Sequence, residues 1–169
     1  MRTNRHPVID GQIAVVPLTK GYTAIIDAID VPLVEGRSWA AKESGTTNVY
    51  AVCSFRIGKG RGHGVGKTRN LLMHHAIIGS PLPGSEVDHI NHNGLDNRRS
   101  NLRFVDKSGN ALNRRWFPRE SGLPKGVRRD GRCFQAAIKI RGAMRFLGSF
   151  KTPEAASNAY KEAVRVALP

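Results

Sequence analysis

The chain has 169 residues, which is enough for one ordinary domain or for two or three small ones. Its hydrophobic fraction of 40% supports a folded core, and no apolar run is long enough to span a membrane. Lys and Arg outnumber Asp and Glu by 27 to 13. This net charge of +14 favours nucleic acid as the partner over a membrane surface, since the sequence shows no basic amphipathic helix with bulky apolar anchors.

The N-terminus and the cysteines predict where the protein works. The residues from Met1 to Pro7 lead into no signal-like apolar segment, so we expect a cytoplasmic protein. Cys53 and Cys133 lie far apart in the sequence, and free thiols in a reducing compartment are favoured over a disulfide.

Residues 1–70 are predicted to be rich in β-strands. Lys20-Gly21 is a turn former between two apolar runs with strand character, and a short helical or irregular piece is expected near Val31–Trp39. Gly58–Gly66 is rich in glycine and basic residues and is predicted to be a loop. The predicted strands are Gln12–Leu18, Tyr22–Ile26 and Asn48–Phe55.

Segment 71–117 has a different order of elements. An apolar element over Leu71–Gly79 is followed by a strand, a polar loop, a second strand and a helix. Asp106 or Ser108 can cap this helix, which is expected to run to about Arg115. The two predicted strands are Val87–Ile90 and Leu102–Val105.

A further unit is predicted over 124–168, after a linker at 118–123 that contains Pro, Ser and Gly. Asp130-Gly131 is a strong hairpin signal, and Thr152 followed by Pro153 predicts the start of a helix. We expect a three-stranded antiparallel sheet packed on this helix. The predicted strands are Gly126–Arg129, Arg132–Arg141 and Ala143–Phe150, and the apolar stripe of the helix is Ala155, Ala156, Ala159, Tyr160, Ala163 and Val164.

One face of this sheet is predicted to be basic and open. Side chains alternate along Arg132–Arg141, so Phe134, Ala136, Ile138 and Ile140 face the helix and the polar residues face outward. Residues 98–151 hold 15 Lys and Arg against three Asp and Glu. Such a face can enter the major groove of double-stranded DNA, although a merely solvated basic face is the alternative. The predicted DNA contacts are Arg128, Lys139, Arg141 and Arg145.

The polar loop of segment 71–117 has residues suited to phosphodiester hydrolysis. Asp88 and His89 are adjacent on a predicted strand, so their side chains point to opposite faces. A neutral histidine can take a proton from water near pH 7. A carboxylate and an amide carbonyl suit Mg²⁺, or Mn²⁺, and leave room for water and phosphate oxygens. Asn110, in the following helix, is expected to complete the metal site, with Asn113 as the alternative ligand.

These motifs resemble those of the HNH homing endonucleases of phages and mobile introns. The resemblance implies a ββα-metal nuclease core in which Asp88 and Asn110 hold the metal. It also implies that His89 is the general base and that Asn101 braces the hairpin. His75 stands where the family usually has Arg. The residues that carry the resemblance are Met73-His74, Val87–Asn91, Leu95–Arg103 and Asn110.

The C-terminal unit resembles the plant ethylene-response-factor (Apetala) type of DNA-binding domain over residues 124–167. Phe146 replaces a tryptophan that is usual before Leu-Gly, and Ala137 replaces a glutamate. The resemblance implies DNA binding without indicating a target sequence. The residues that carry it are Gly126–Arg128, Ala136–Lys139, Phe146–Phe150 and Thr152–Tyr160.

The expected protein is therefore an α+β chain with a β-rich N-terminal DNA-docking region at 1–70, an HNH nuclease at 71–117 and a DNA-binding domain at 124–168. We expect a site-directed DNA endonuclease of the homing type, monomeric on double-stranded DNA, in a bacterial or phage-infected host cell. A DNA-binding regulator with an inactive nuclease core and an RNA-binding protein are the alternatives. Further predicted DNA contacts are Arg98, Arg99 and Arg103.

The histidines allow two other interpretations. His74 is either a half-buried structural residue or a contact to phosphate. A zinc site is conceivable because His74, His75, His89 and His92 are close in sequence, but structural zinc normally recruits pairs of cysteines and none lies nearby.

Overall fold

The computed structural model describes residues 6–45, 48–57, 67–114 and 122–168. The predicted loop Gly58–Gly66 and residues 118–121 of the predicted linker lie outside the described residues, as does Arg115. The chain divides into an N-terminal unit, Met1–Pro83 with Val87–Phe104, and a C-terminal unit, Gly84–Glu86 with Val105–Pro169. Among the described residues, no helix is both long enough and apolar enough to cross a membrane.

The N-terminal unit contains two three-stranded antiparallel sheets. In each sheet the strands that pair are neighbours in chain order. The first sheet consists of β1 (Val8–Asp10), β2 (Ile13–Pro17) and β3 (Thr23–Asp27), and the short helix α1 (Val31–Val34) follows it. The second consists of β4 (Trp39–Ser44), β5 (Asn48–Ile57) and β6 (Lys67–Leu72), and α2 (Met73–Ile78) follows it.

Side chains alternate between buried and less buried positions along the strands of the first sheet. Ala14 and Val16 on β2 and Ala24 and Ile26 on β3 are buried, and their neighbours along each strand are less so. They share one hydrophobic core with Trp39, whose indole donates a hydrogen bond to the Val34 carbonyl, and with Met73. The strands predicted for this region and the one predicted over Asn48–Phe55 are confirmed, whereas β1, β4 and β6 were missed.

The second sheet extends into a two-stranded ribbon. β4 pairs with β5 only as far as Cys53, so Ser54–Ile57 pairs only with Lys67–Asn70 of β6. We call these two paired segments the basic ribbon. Arg56, Lys67 and Arg69 supply its charge, and the sequence from 45 to 85 contains no Asp or Glu.

The predicted order of strand, loop, strand and helix is confirmed. β7 (Ser85–His89) and β8 (Leu102–Asp106) pair in a two-stranded sheet, and α3 (Lys107–Asn113) follows directly. The Asp106 carboxylate caps α3 by accepting a hydrogen bond from the Gly109 backbone N–H, at 2.7 Å.

The C-terminal unit contains the predicted three-stranded sheet and helix. β9 (Val127–Asp130), β10 (Cys133–Ile140) and β11 (Ala143–Phe150) are antiparallel with β10 in the middle, and α4 (Pro153–Ala167) follows. Thr152 caps α4 as expected. The apolar stripe of α4 differs from the prediction at its start, because Ala155 is exposed and Ser157 is buried. The register of a helix depends on where its first turn begins, and alanine and serine differ too little in size to reveal it.

Helix α3 packs within this C-terminal unit. Leu112 shares a hydrophobic core with Ile138 and Tyr160. The Lys125 ammonium donates hydrogen bonds to the carbonyls of three residues at the end of α3, at 2.8–3.0 Å. This cation satisfies carbonyls that a helix end leaves without intrahelical partners and complements the helix dipole.

Candidate active site

The His89 side chain lies at the end of β7, in a cluster of aromatic rings inside the N-terminal unit. Its ring centroid is 5.1 Å from that of His74 and 5.8 Å from that of Tyr50. The His74 ring also lies 4.5 Å from that of His75, edge to face. His74 and His89 are both buried. The structure therefore brings His74, whose role the sequence left open, directly beside the predicted base.

Burial keeps these imidazoles neutral. The pKa of His74 is lowered to about 3, mainly by burial and to a lesser extent by the neighbouring rings of His89 and His75. Burial also lowers the pKa of His89, although the Asn97 amide and the carboxylates of Asp88 and Asp96 oppose this shift. A neutral His89 ring has a lone pair available at pH 7, which is the form that a general base requires.

The Asp88 carboxylate is held by a guanidinium from the neighbouring strand. Nε and Nη2 of Arg103 on β8 both donate to Oδ2 of Asp88, at 2.9 and 2.8 Å. Both side chains are largely buried, with exposed fractions of 9% for Asp88 and 13% for Arg103. A carboxylate that stays buried needs such a partner, and its ionised oxygens are what a hard divalent cation binds.

Asn101 joins the two sides of the loop between β7 and β8. Its side-chain amide nitrogen donates to the Asp96 carbonyl at 2.7 Å and to the Asn91 side chain at 3.0 Å. Its side-chain carbonyl accepts a hydrogen bond from the Asn91 backbone N–H at 3.0 Å. Its backbone carbonyl accepts one from the Ile90 backbone N–H. Asn91 and Asn101 thereby hold the loop in one conformation immediately after His89.

Two loop arginines, Arg98 and Arg99, also bind carboxylates. Arg98 forms a bidentate pair with Asp96, at 2.8 and 2.7 Å. Arg99 binds Asp30, and its backbone N–H donates to Asp27 at 2.7 Å. These pairs fasten the loop to itself and to the first sheet, so the structure gives Arg98 and Arg99 a structural task within the protein.

The second predicted metal ligand, Asn110, belongs to the C-terminal unit. Its side-chain nitrogen donates a hydrogen bond to the Glu86 carboxylate. Its side-chain carbonyl oxygen is the kind of ligand that a hard cation binds. Within the described residues, no group of three or more His, Cys, Asp and Glu side chains is placed to hold a metal ion.

Comparison with known proteins finds similarity over the same segment. Residues 77–112, from α2 to α3, match the family of HNH endonucleases. The chain is also 29% identical over 143 residues to a protein of Acanthamoeba polyphaga mimivirus described as an uncharacterized HNH endonuclease. This match covers 83% of the chain and 68% of the viral protein. No solved structure matches.

Both comparisons support a nuclease. The HNH match spans Asp88, His89, Asn101 and Asn110, and it ends before the C-terminal sheet begins. The Apetala-type resemblance of that sheet therefore remains a prediction.

Sequence reasoning missed two residues beside His89. Tyr50 lies in a predicted strand, but a strand prediction does not indicate which loop the strand will contact. Asn97 belongs to the motif Leu95–Arg103, but the resemblance to the HNH homing endonucleases implied no role for it. The structure places its side-chain carbonyl 3.4 Å from Nε2 of His89.

The outer face of the C-terminal sheet is basic but not purely polar. Arg128 lies opposite Gln135 and donates to its side-chain carbonyl, and Lys139 lies opposite Met144. Phe146 and Met144 are exposed on this face, at 63% and 66%. Arg145 pairs with Ile138, which faces α4, so the register puts Arg145 on the other side of the sheet from Lys139.

Proposed function

We propose that this protein is a site-directed DNA endonuclease of the homing type. The observation that carries the proposal is the buried His89 beside Asp88, within a segment that matches the HNH endonucleases. The ring is neutral at pH 7 because burial lowers its pKa, so it can take a proton from water. That proton transfer makes the water a nucleophile toward a scissile phosphate.

The residues around His89 prepare this step. Tyr50 and His74 pack against the ring and restrict its orientation, and Asn101 holds the loop that follows it. A divalent metal such as Mg²⁺ or Mn²⁺, bound by Asp88 and Asn110, would supply charge that stabilises the transition state and the leaving oxygen. Arg103 keeps the Asp88 carboxylate in place inside the protein.

Two surfaces outside the HNH segment fit double-stranded DNA. The basic ribbon carries Arg56, Lys67 and Arg69 on a free pair of strands, and a two-stranded ribbon has the width of a major groove. The outer face of the C-terminal sheet carries Arg128 and Lys139 with the exposed ring of Phe146. We propose that the N-terminal region docks DNA and that the C-terminal unit binds it as an Apetala-type domain.

Cleavage of supercoiled plasmid DNA tests the proposal. With Mg²⁺ we expect wild-type protein to convert the plasmid to a nicked circle, because a monomer with one active site cuts one strand. His89→Ala removes the base and should slow nicking by a factor of about 10² or more. Asp88→Asn removes the anionic ligand and should abolish the dependence on Mg²⁺ along with most of the activity.

A matched control separates these effects from a general loss of structure. His6→Ala makes the same exchange at an exposed histidine and should leave the nicking rate unchanged. If His89→Ala nicks as fast as His6→Ala, His89 is not the base. If the wild-type protein binds the plasmid but leaves it intact under all divalent metals, the regulator with an inactive nuclease core replaces the endonuclease.

A further inference from the structure

Asn97 is a buried amide with an incomplete set of hydrogen bonds. Its exposed fraction is 1%, and its Nδ2 is the one buried side-chain nitrogen or oxygen, among the described residues, that lacks a hydrogen-bond partner. Leaving such a donor unsatisfied is destabilising, because the group loses its hydrogen bonds to water and gains none in the protein. A leucine of similar volume would avoid that cost, so stability alone does not account for an amide here.

The backbone fixes where the Asn97 side chain points. The Asn97 backbone N–H donates to the Ile25 carbonyl at 2.7 Å, and the Ile25 N–H donates to the Leu95 carbonyl at 2.8 Å. Ile25 and Asp96 thereby form a parallel bridge that docks the loop on β3. Because these bonds hold the backbone at Leu95 and at Asn97, the Asn97 amide stays next to the His89 ring.

The orientation of the Asn97 amide bears on the tautomer of His89. A neutral imidazole carries a hydrogen on one nitrogen and a lone pair on the other. The Asn97 carbonyl Oδ1 faces Nε2 at 3.4 Å, and an acceptor there favours the tautomer with hydrogen on Nε2. The lone pair is then on Nδ1. The opposite amide orientation would set Nδ2 against Nε2 and leave the hydrogen on Nδ1.

We propose that Asn97 is a positioning residue, whose Oδ1 accepts a hydrogen bond from Nε2–H of His89 and so makes Nδ1 the proton acceptor. This inference rests on the proposed nuclease function for its purpose, but the tautomer can be measured without any cleavage. In this role the amide orients the base in the way that a carboxylate or carbonyl orients other catalytic histidines.

The tautomer of His89 in the full-length protein is the first test. Long-range proton–nitrogen NMR of ¹⁵N-labelled protein at pH 7.5 distinguishes the two ring nitrogens, and His89→Gln identifies the signals. We expect the wild-type ring to carry its hydrogen on Nε2. A wild-type ring with hydrogen on Nδ1 would overturn the proposal, and that outcome does not depend on any Asn97 variant.

Two substitutions then test whether the Asn97 carbonyl determines the tautomer of His89. Asn97→Leu removes the acceptor and should shift His89 toward a mixture of tautomers, while kcat for nicking falls about tenfold or more with KM for DNA unchanged. Asn97→Asp retains an acceptor oxygen and should preserve the Nε2–H tautomer. Asn158→Leu makes the first exchange at an exposed position on α4 and should change neither quantity.

The outcomes separate this proposal from the proposed function. If Asn97→Leu keeps both the tautomer and kcat, Asn97 is a structural residue and the proposal fails. If wild-type protein has the Nε2–H tautomer, which Asn97→Leu loses, the positioning role stands even where no DNA is cut. In that case only the assignment of a nuclease would fail.

Discussion

At the residue scale, His74 couples the stability of the protein to pH. Its ring is neutral in the folded state because burial holds its pKa near 3, whereas the unfolded chain protonates it below about 6.5. The unfolded state therefore binds more protons between these values, and stability is lost as the pH falls. We expect the free energy of unfolding to decrease below pH 6.5 by up to about 1.4 kcal/mol per pH unit for this ring.

Denaturant unfolding between pH 7.5 and pH 4 measures this slope. His74→Gln removes the titrating ring and should flatten the pH dependence, even where the substitution lowers stability at every pH. His6→Gln makes the same exchange at an exposed histidine and serves as the matched control. Equal slopes in the wild type and in His74→Gln would contradict the assignment.

The sequence predicted residues with chemical function but could not predict their partners. Asp88, His89 and Asn110 were chosen for the chemistry of their side chains and for their spacing, and the resemblance to the HNH homing endonucleases added a role for Asn101. Whether an arginine faces a phosphate or a carboxylate depends on residues far away in sequence, such as Asp30, which binds Arg99. Spacing within one motif contains no information about such contacts.

At the scale of elements, a glycine permits the loop after His89 to approach β5. A Cβ atom at Gly94 would lie 2.5 Å from the Val49 carbonyl oxygen and 2.6 Å from the Tyr50 ring. The carbonyl is backbone within a paired strand and cannot move aside cheaply. We expect Gly94→Ala to destabilise the protein by about 1–3 kcal/mol, a typical cost of overpacking.

Thermal unfolding of Gly94→Ala measures this cost, with Ser100→Ala as a control at an exposed position in the same loop. Because Tyr50 packs against His89, the variant should also shift the NMR signals of the His89 ring. A variant that unfolds at the wild-type temperature would show that the loop does not need this close approach.

The elements that the sequence predicted correctly are those with strong local signals. Asp130-Gly131 indicated a hairpin, and Thr152-Pro153 indicated a helix start, because both depend on neighbouring residues alone. β6 was missed because Lys67–Asn70 is polar and becomes a strand only by pairing with β5. A strand that is exposed on both faces lacks the alternation of apolar and polar residues by which sequence analysis detects strands.

At the scale of the whole molecule, the charge of +14 determines how the protein meets its substrate. Lys and Arg that neutralise phosphates release counterions, so affinity should fall steeply with salt. With about six phosphate contacts we expect affinity for duplex DNA to drop roughly 10³-fold between 50 and 200 mM salt. Fluorescence anisotropy with a labelled duplex measures this, and a flat profile would remove phosphate contacts as the source of binding.

A variant on the C-terminal sheet tests whether Lys139 contributes one of these phosphate contacts. Lys139→Gln on the outer face should reduce the slope of log affinity against log salt concentration by about one. The reduction should be the same for all DNA sequences. Lys161→Gln on an exposed part of α4 should leave the slope unchanged. A duplex RNA of the same length that binds as tightly as DNA would favour the RNA-binding protein instead.

The anchoring of the loop on β3 has a consequence for the order of folding. Arg99 contacts Asp27 and Asp30, which are 72 and 69 residues earlier in the chain, and Ile25 pairs with Asp96. Contacts of such separation form slowly in a free chain, because closing the intervening loop costs entropy. During synthesis, however, the residues of the first sheet leave the ribosome before the HNH segment, so we expect the sheet to begin forming first. We therefore expect the loop between β7 and β8 to take its final conformation late, only after the first sheet has formed.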